Sequence, residues 1–320
     1  MAYDIIGDIH GQADKLHGLL SHLGYRERDG AYRDPNLDRQ AILVGDFIDV
    51  GPRQIASVMT VRRMVDQGTA LAIMGNHEFN AIAWHTPDTE DKNCGFLRPH
   101  SGEKGPENIK QHKAFLAEVD GKPDIHRELI EWFLTLPLWL ELDGLRVVHA
   151  CWHDGYMNKL RSQLSDNRQL SRELIVAASR KGTMEFLAVE GLTKGLEIEL
   201  PEGRSFMDNY GQVRHRVRIR WWDVEATTYR SLAIVPDEMR LMLPDTPVEA
   251  IAGSSDEVVR SPYDDAKPIF FGHYWMTGQP KTRSLTSACV DYSAAKHGPL
   301  VTYRWDGEQH LDNGNFASFG

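Results

Sequence analysis

Three times before Trp84 a short apolar run gives way to a polar, glycine-bearing turn and then to apolar residues at helical spacing. The first pass runs from Tyr3–Ile6 through Gly7-Asp8-Ile9-His10-Gly11 to Leu16, Leu19, Leu20 and Leu23. The second runs from Ala41–Val44 through Gly45–Arg53 to Ile55, Val58, Val61, Met64 and Val65, ending at Gly68. The third runs from Ala70–Met74 through Gly75-Asn76-His77-Glu78 to a short helix through Ile82. Strands separated by helices pair in parallel, so the pattern predicts an α/β chain with a parallel or mixed sheet carrying helices on its face.

After Trp84 this order dissolves into Pro, Gly, His and charge, followed by helical spacing over Asn108–Glu118 and Ile125–Leu136. Leu138–Leu142 and Leu145–His149, joined by Asp143-Gly144, read as a hairpin. A second excursion, about 154–267, contains a predicted helix over Arg172–Arg180. Strand-like runs then return at Pro268–His273, Ser287–Asp291 and Pro299–Tyr303, before an Asn- and Gly-rich end, Asn313–Gly320, that reads as a loose tail. The expectation is one domain over 1–320 in which segments of about 85–136 and 154–267 are inserted as a cap.

At 320 residues with 41% hydrophobic and 26% charged side chains, the chain has the make-up of a globular protein. A net charge of -10 argues against an extended nucleic-acid surface. Cys94, Cys151 and Cys289 are far apart and form no Cys-x-x-Cys pair, as expected for a reducing compartment. Tyr3-Asp4-Ile5-Ile6 resembles no signal peptide and no apolar run reaches membrane-spanning length, so a cytoplasmic protein without a membrane partner is expected.

The polar residues fall at predicted strand ends: Asp8 and His10, Asp46 and Asp49, Asn76 and His77, His149, and His273. One histidine in an apolar run, such as His273, reads most simply as a hydrogen-bonded core residue. Five junctions of this kind together point instead to a shared rim of ligands. Carboxylate, imidazole and amide donors suit manganese, iron or zinc better than calcium or magnesium, and two ions fit the set better than one.

These motifs resemble those of the calcineurin-like metallophosphatases, closest to the branch of phosphoprotein phosphatases and symmetrical diadenosine tetraphosphate hydrolases. Gly7–Gly11 looks like the G-D-x-H-G box, Gly45–Gly51 like G-D-x-x-D-R-G, and Gly75–Glu78 like G-N-H-E; Val148-His149 and Gly272-His273-Tyr274 look like the later histidine boxes. The resemblance implies a metallophosphatase-type β-sandwich flanked by helices. It implies that Asp8 and His10 hold one metal, that Asp46 bridges, and that Asn76, His149 and His273 hold the second, the cofactor being two divalent ions, most simply Mn2+ with iron or zinc as alternatives. It further implies hydrolysis by direct attack of a metal-bound hydroxide, with His77 protonating the leaving oxygen and Asp49 orienting His77.

Val50 departs from the resemblance, since the family carries a phosphate-clamping arginine there. Arg53, three residues on, is one candidate replacement. Arg214, Arg216, Arg218 and Arg220 alternate with His215, Val217, Ile219 and Trp221, placing guanidinium groups on one strand face, with Arg216 and Arg218 as phosphate contacts. The plainer reading pairs this strand with Leu196–Leu200, so that Glu197 and Glu199 satisfy the arginines. The expected activity is hydrolysis of a phosphate monoester, either a phosphoprotein or a small phosphate ester. Hydrolysis of a dinucleoside polyphosphate, with a nucleotide as partner, is the alternative, and a non-catalytic metal- or phosphate-binding module is the reading from another class.

Overall fold

The computed structural model describes residues 1–90, 95–207, 213–248 and 263–320. Cys94 and the predicted cap residues between 249 and 262 lie outside them. Strands Ala2–Ile6, Arg39–Leu43 and Ala70–Ala72 pair in parallel, each connected to the next through a helix, Ala13–His22 and then Gln54–Asp66. Leu300–Trp305 adds antiparallel to Ala2–Ile6, and Phe316–Phe319 pairs with Leu300–Trp305 in turn, giving a mixed five-stranded sheet. The chain end is therefore an edge strand rather than a loose tail. Phe316 packs its ring against Tyr303 at 5.0 Å, and Phe319 fills the space above Gly18, where no Cβ fits.

The hairpin Trp139–Glu141 and Arg146–Val148 forms as its sequence predicts. Ile269–Phe271 lies parallel to Arg146–Val148, and Ser287–Cys289 parallel to Ile269–Phe271, completing a four-stranded sheet. Alternation along the strands makes two layers of core. Ile5, Ile42, Val44 and Tyr303 from the first sheet share a buried cluster with Val147, Phe270 and Ala288 from the second, so the sheets face each other as a sandwich. The opposite faces, represented by Ile6, Leu43 and Phe271, join a larger cluster with helix residues Leu16, Leu20, Val58 and Val61.

Both excursions contribute to that larger cluster through Phe115, Ile130 and Phe133, and through Leu192, Val217 and Trp221. Helices Gly105–Val119, Pro123–Phe133 and Arg172–Ala178 occupy the predicted places. Asp154–Arg161 and Met184–Lys194 are additional helices, obscured in the sequence by Gly155 and Gly191. Gly191 is where the Tyr156 ring seats, and a Cβ there would strike it.

Candidate active site

Asp8, Asp46 and Asn76 follow the three parallel strands of the first sheet, while His149 and His273 follow two parallel strands of the second. The two layers therefore deliver every predicted ligand to one edge of the sandwich, outside the carboxyl ends of the strands. His10, Asp46, Asp49 and His273 all have positive φ, at 50°, 52°, 95° and 71°. Left-handed backbone costs a non-glycine residue energy, and its concentration here indicates a rim held in place by its surroundings.

Two glycines permit the close approach. Gly45, at φ 100°, turns the chain against Gly75, and its missing Cβ leaves space beside the His149 ring. Gly75 caps helix Asn76–His85, and a Cβ there would run into the Asp46 carboxylate. Glu78 fixes the same corner, accepting hydrogen bonds from the backbone N–H groups of Asp46 at 2.8 Å, Phe47 at 2.8 Å and Gly75 at 3.0 Å. Its bond to Gly75 is the capping-box element of the helix start.

Asp46 is the hub. Its Oδ2 lies 3.3 Å from His149 Nε2, 3.7 Å from His10 Nε2 and 3.9 Å from His77 Nε2. His10, Asp46 and His77 form one group able to hold a cation, and Asp46, His149 and His273 a second. Donor chemistry fits this use. His10 Nδ1 donates to the Ile48 carbonyl at 2.9 Å and His149 Nδ1 to the Val44 carbonyl at 2.7 Å, which fixes each ring with Nε2 facing Asp46. Asp8 Oδ1, His10 Nε2 and both ring nitrogens of His273 are buried without a hydrogen-bond partner among the described residues. Such atoms are costly in a folded protein unless something binds them. Asn76 Oδ1 completes the rim 3.3 Å from His149 Nε2, and Asp8 Oδ2 accepts the His273 backbone N–H at 2.9 Å.

The electrostatics divide the histidines. Burial would raise the Asp46 carboxyl, but His149 and His77 hold it well below the usual carboxylate range. Burial opposes charge on His149, yet Asp46 outweighs it and lifts the imidazole to about 10. His77 moves the same way, to about 9, because Asp46 and Asp49 overcome its burial. His10 is pushed down to about 4 by burial and His77, and His273 is pushed well down by burial and Arg218.

His77 and Asp49 meet, with Nδ1 2.6 Å from Oδ2. Asp49 has a second partner that the motifs do not contain: His112 Nδ1 lies 2.6 Å from its other oxygen. The signal for His112 was its place with Asn108, Phe115 and Val119 on the buried face of helix Gly105–Val119. Gln54 also accepts the Asp49 backbone N–H at 2.6 Å.

A cleft of about 670 Å³ opens from Asp46, Asn76, His77 and His273 toward Arg216, Arg218 and Lys296. The arginine strand does pair with the glutamate strand, Arg216 opposite Glu199 and Arg218 opposite Glu197. Arg218 Nε lies 3.7 Å from Glu197, an ion pair that leaves the guanidinium lining the cleft. Arg53 takes a different place: it precedes helix Gln54–Asp66, is exposed, and pairs with Asp14. Val50 is exposed at 44%.

The family model described as calcineurin-like phosphoesterase matches residues 1–273. The chain belongs to the calcineurin-like phosphoesterase family. Members of this family are metal-dependent hydrolases of phosphoric ester bonds, in keeping with the buried histidine and aspartate groups around Asp46. The chain is 43% identical over 150 residues to a protein of Oceanobacillus iheyensis named bis(5'-nucleosyl)-tetraphosphatase PrpE [asymmetrical], the match covering 47% of this chain and 55% of that protein. It is 31% identical over 187 residues to a symmetrical bis(5'-nucleosyl)-tetraphosphatase of Aromatoleum aromaticum, covering 58% of this chain and 55% of that one. The chain thus spans about half the length of these curated relatives. Among solved structures, a cold-active protein-tyrosine phosphatase of a psychrophilic Shewanella shares the phosphoesterase fold, with a TM-score of 0.50, 12% identity, and coverage of 100% of this chain and 80% of that one. No helix of the described residues is long and apolar enough to cross a membrane.

Proposed function

We propose that this calcineurin-like phosphoesterase hydrolyses dinucleoside polyphosphates at a dinuclear metal site. The observation that carries the reading is that one cleft holds Asp46, Asn76, His77 and His273 together with three cationic side chains, Arg216, Arg218 and Lys296. Two relatives of this chain are named as tetraphosphatases, which supports the same substrate class over the phosphate monoester that the sequence reading put first. In this proposal Asp8 and His10 would hold one ion and Asn76, His149 and His273 the other, with Asp46 serving both and manganese as the expected metal. The protein works as one domain over 1–320 in the cytoplasm, the segments 85–136 and 154–267 shaping the entrance; the free, buried thiols of Cys151 and Cys289 suit a reducing compartment.

Bound divalent ions supply the positive charge that acidifies water and neutralises phosphoryl oxygens. The chain's own residues do the rest. Arg216 and Arg218 draw the polyphosphate along the cleft and fix the phosphoryl group to be attacked, a task for which Val50 offers no donor. A water oxygen, its proton released to solvent, bonds to phosphorus as the bridging P–O bond breaks. Asp49 holds His77 through Nδ1, which leaves Nε2 on the side of Asp46 and the cleft, where the protonated ring can donate to the departing phosphate oxygen. Asp49 keeps the ring in that orientation through the transfer.

The test is one reaction mixture containing diadenosine tetraphosphate and a phosphopeptide with manganese. Faster release of nucleotide than of peptide phosphate, lost in His77→Asn, is the expected result; preferential peptide dephosphorylation would return the site to phosphomonoesters. Metal binding without turnover of either compound would leave only a binding module.

A further inference from the structure

Trp275 stands at the mouth of the cleft in a conformation that a bulky residue rarely adopts, with φ 50°. The fold holds it there. The Asp291 carboxylate is buried and accepts the backbone N–H of Trp275 at 2.6 Å and of Ser293 at 2.9 Å, while the Asp291 carbonyl accepts the N–H of Met276 at 3.0 Å. This brace does not bury the indole, which remains half-buried beside the metal rim, 6.2 Å from the His10 ring and edge-on to it. Over the indole, 4.4 Å from its centroid, lies the ammonium of Lys296, an exposed residue with no carboxylate partner among the described residues.

An indole that a strained loop presents to a cleft, with an ammonium resting on its face, is a stacking platform with a phosphate donor beside it. We propose that Trp275 and Lys296 form a nucleoside subsite: the base of a nucleotide substrate stacks on the indole, and the Lys296 ammonium turns from the ring to the adjoining phosphate. The inference rests on the dinucleoside polyphosphate reading and extends it from the phosphate chain to the base. Placement agrees with that chemistry. Trp275 lies beside the His10 ring at the candidate metal site, and Arg216 and Arg218 line the same cleft, so a nucleoside on the indole and its polyphosphate on the arginines share one opening. A phosphotyrosyl ring is the competing occupant, but it brings one phosphate to three cationic side chains.

Two measurements on the full chain test this. The first is calorimetric titration of manganese-loaded His77→Asn protein with ADP and with inorganic pyrophosphate, repeated with Trp275→Ala, Trp275→Phe and Lys296→Met added. Loss of a base–aromatic stack weakens binding by roughly tenfold or more. Trp275→Ala should therefore weaken ADP at least about tenfold more than pyrophosphate. Trp275→Phe should restore most of the difference, and Lys296→Met should weaken both ligands. The second is the selectivity for diadenosine tetraphosphate over inorganic tetraphosphate, which Trp275→Ala should reduce by a similar factor. Equal weakening of ADP and pyrophosphate, no weakening, or an effect confined to a phosphotyrosyl peptide would overturn the subsite. If the unmutated protein does not cleave diadenosine tetraphosphate, the hydrolase reading falls, and the ADP-to-pyrophosphate ratio still decides the subsite.

Discussion

His112 and Asp49 are joined by a 2.6 Å hydrogen bond between Nδ1 and Oδ1, on the side of the carboxylate opposite His77. One buried aspartate is thus clamped between two imidazoles, and burial, which would raise its carboxyl, is overcome by His112 and then His77 so that it titrates below the usual range. His112 reaches no reacting atom. It fixes the rotation of Asp49, and through it the direction of His77.

His112→Ala should lower kcat by about tenfold and change KM little, because the loss falls on the orientation of His77, the proposed general acid, and not on substrate capture. The loss should grow with the basicity of the leaving oxygen, being larger for an alkyl phosphate than for p-nitrophenyl phosphate. His112→Asn, which retains a donor, should recover part of the rate. A uniform loss across leaving groups would assign His112 a structural role only.

Glu78→Gln should destabilise the protein by about 3 kcal/mol. Its carboxylate accepts three backbone N–H bonds at the Asp46 corner, whereas an amide presents one acceptor oxygen and a donor that faces another donor. Urea unfolding of the two proteins checks this, and an unchanged midpoint would contradict it.

His126 predicts an acid-sensitive component of stability. Burial first, then His85 and His112, lower its imidazole from the usual 6.5 to about 4. Its ring lies 4.8 Å from His85, and its Nε2 has no hydrogen-bond partner among the described residues. The unfolded chain therefore takes up a proton near pH 6.5 that the folded chain refuses until about pH 4, so this contribution is intact above the first value and lost as pH falls through the second. His126→Gln should narrow the difference in urea midpoint between about pH 7 and about pH 5. A difference as large as in the unmutated protein would refute the assignment.

Much of the rim could be read from the sequence because each proposed ligand follows a strand whose apolar run is self-evident: Ile6 before Asp8, Val44 before Asp46, Val148 before His149. What stayed hidden depends on distant contacts. His112 looks like any polar residue on a helix until the fold brings Asp49 to it, and the Trp275 conformation depends on a carboxylate 16 residues further along the chain. Arg53 is near Val50 in sequence but points to Asp14, while Arg216 and Arg218 reach the cleft from the second excursion. The end of the chain misled for a local reason: Asn313, Gly314 and Asn315 make a turn, masking the strand that Phe316–Phe319 forms after it.

That strand supports a further expectation. Truncation after Asn313 removes the antiparallel partner of Leu300–Tyr303 and the ring packed against Tyr303, and bares a sheet edge. The shortened protein should melt several degrees lower and aggregate more readily, as thermal melting with light scattering would record; identical melting would mean that the edge strand contributes nothing.

The most direct measurement is the rate of diadenosine tetraphosphate hydrolysis by chelator-treated protein as manganese is added back. Activity should be absent after chelation, return in proportion to metal, saturate at two equivalents, and fail to return in Asp46→Asn. Hydrolysis that survives chelation, or that Asp46→Asn supports at the unmutated rate, would contradict a dinuclear site built around Asp46.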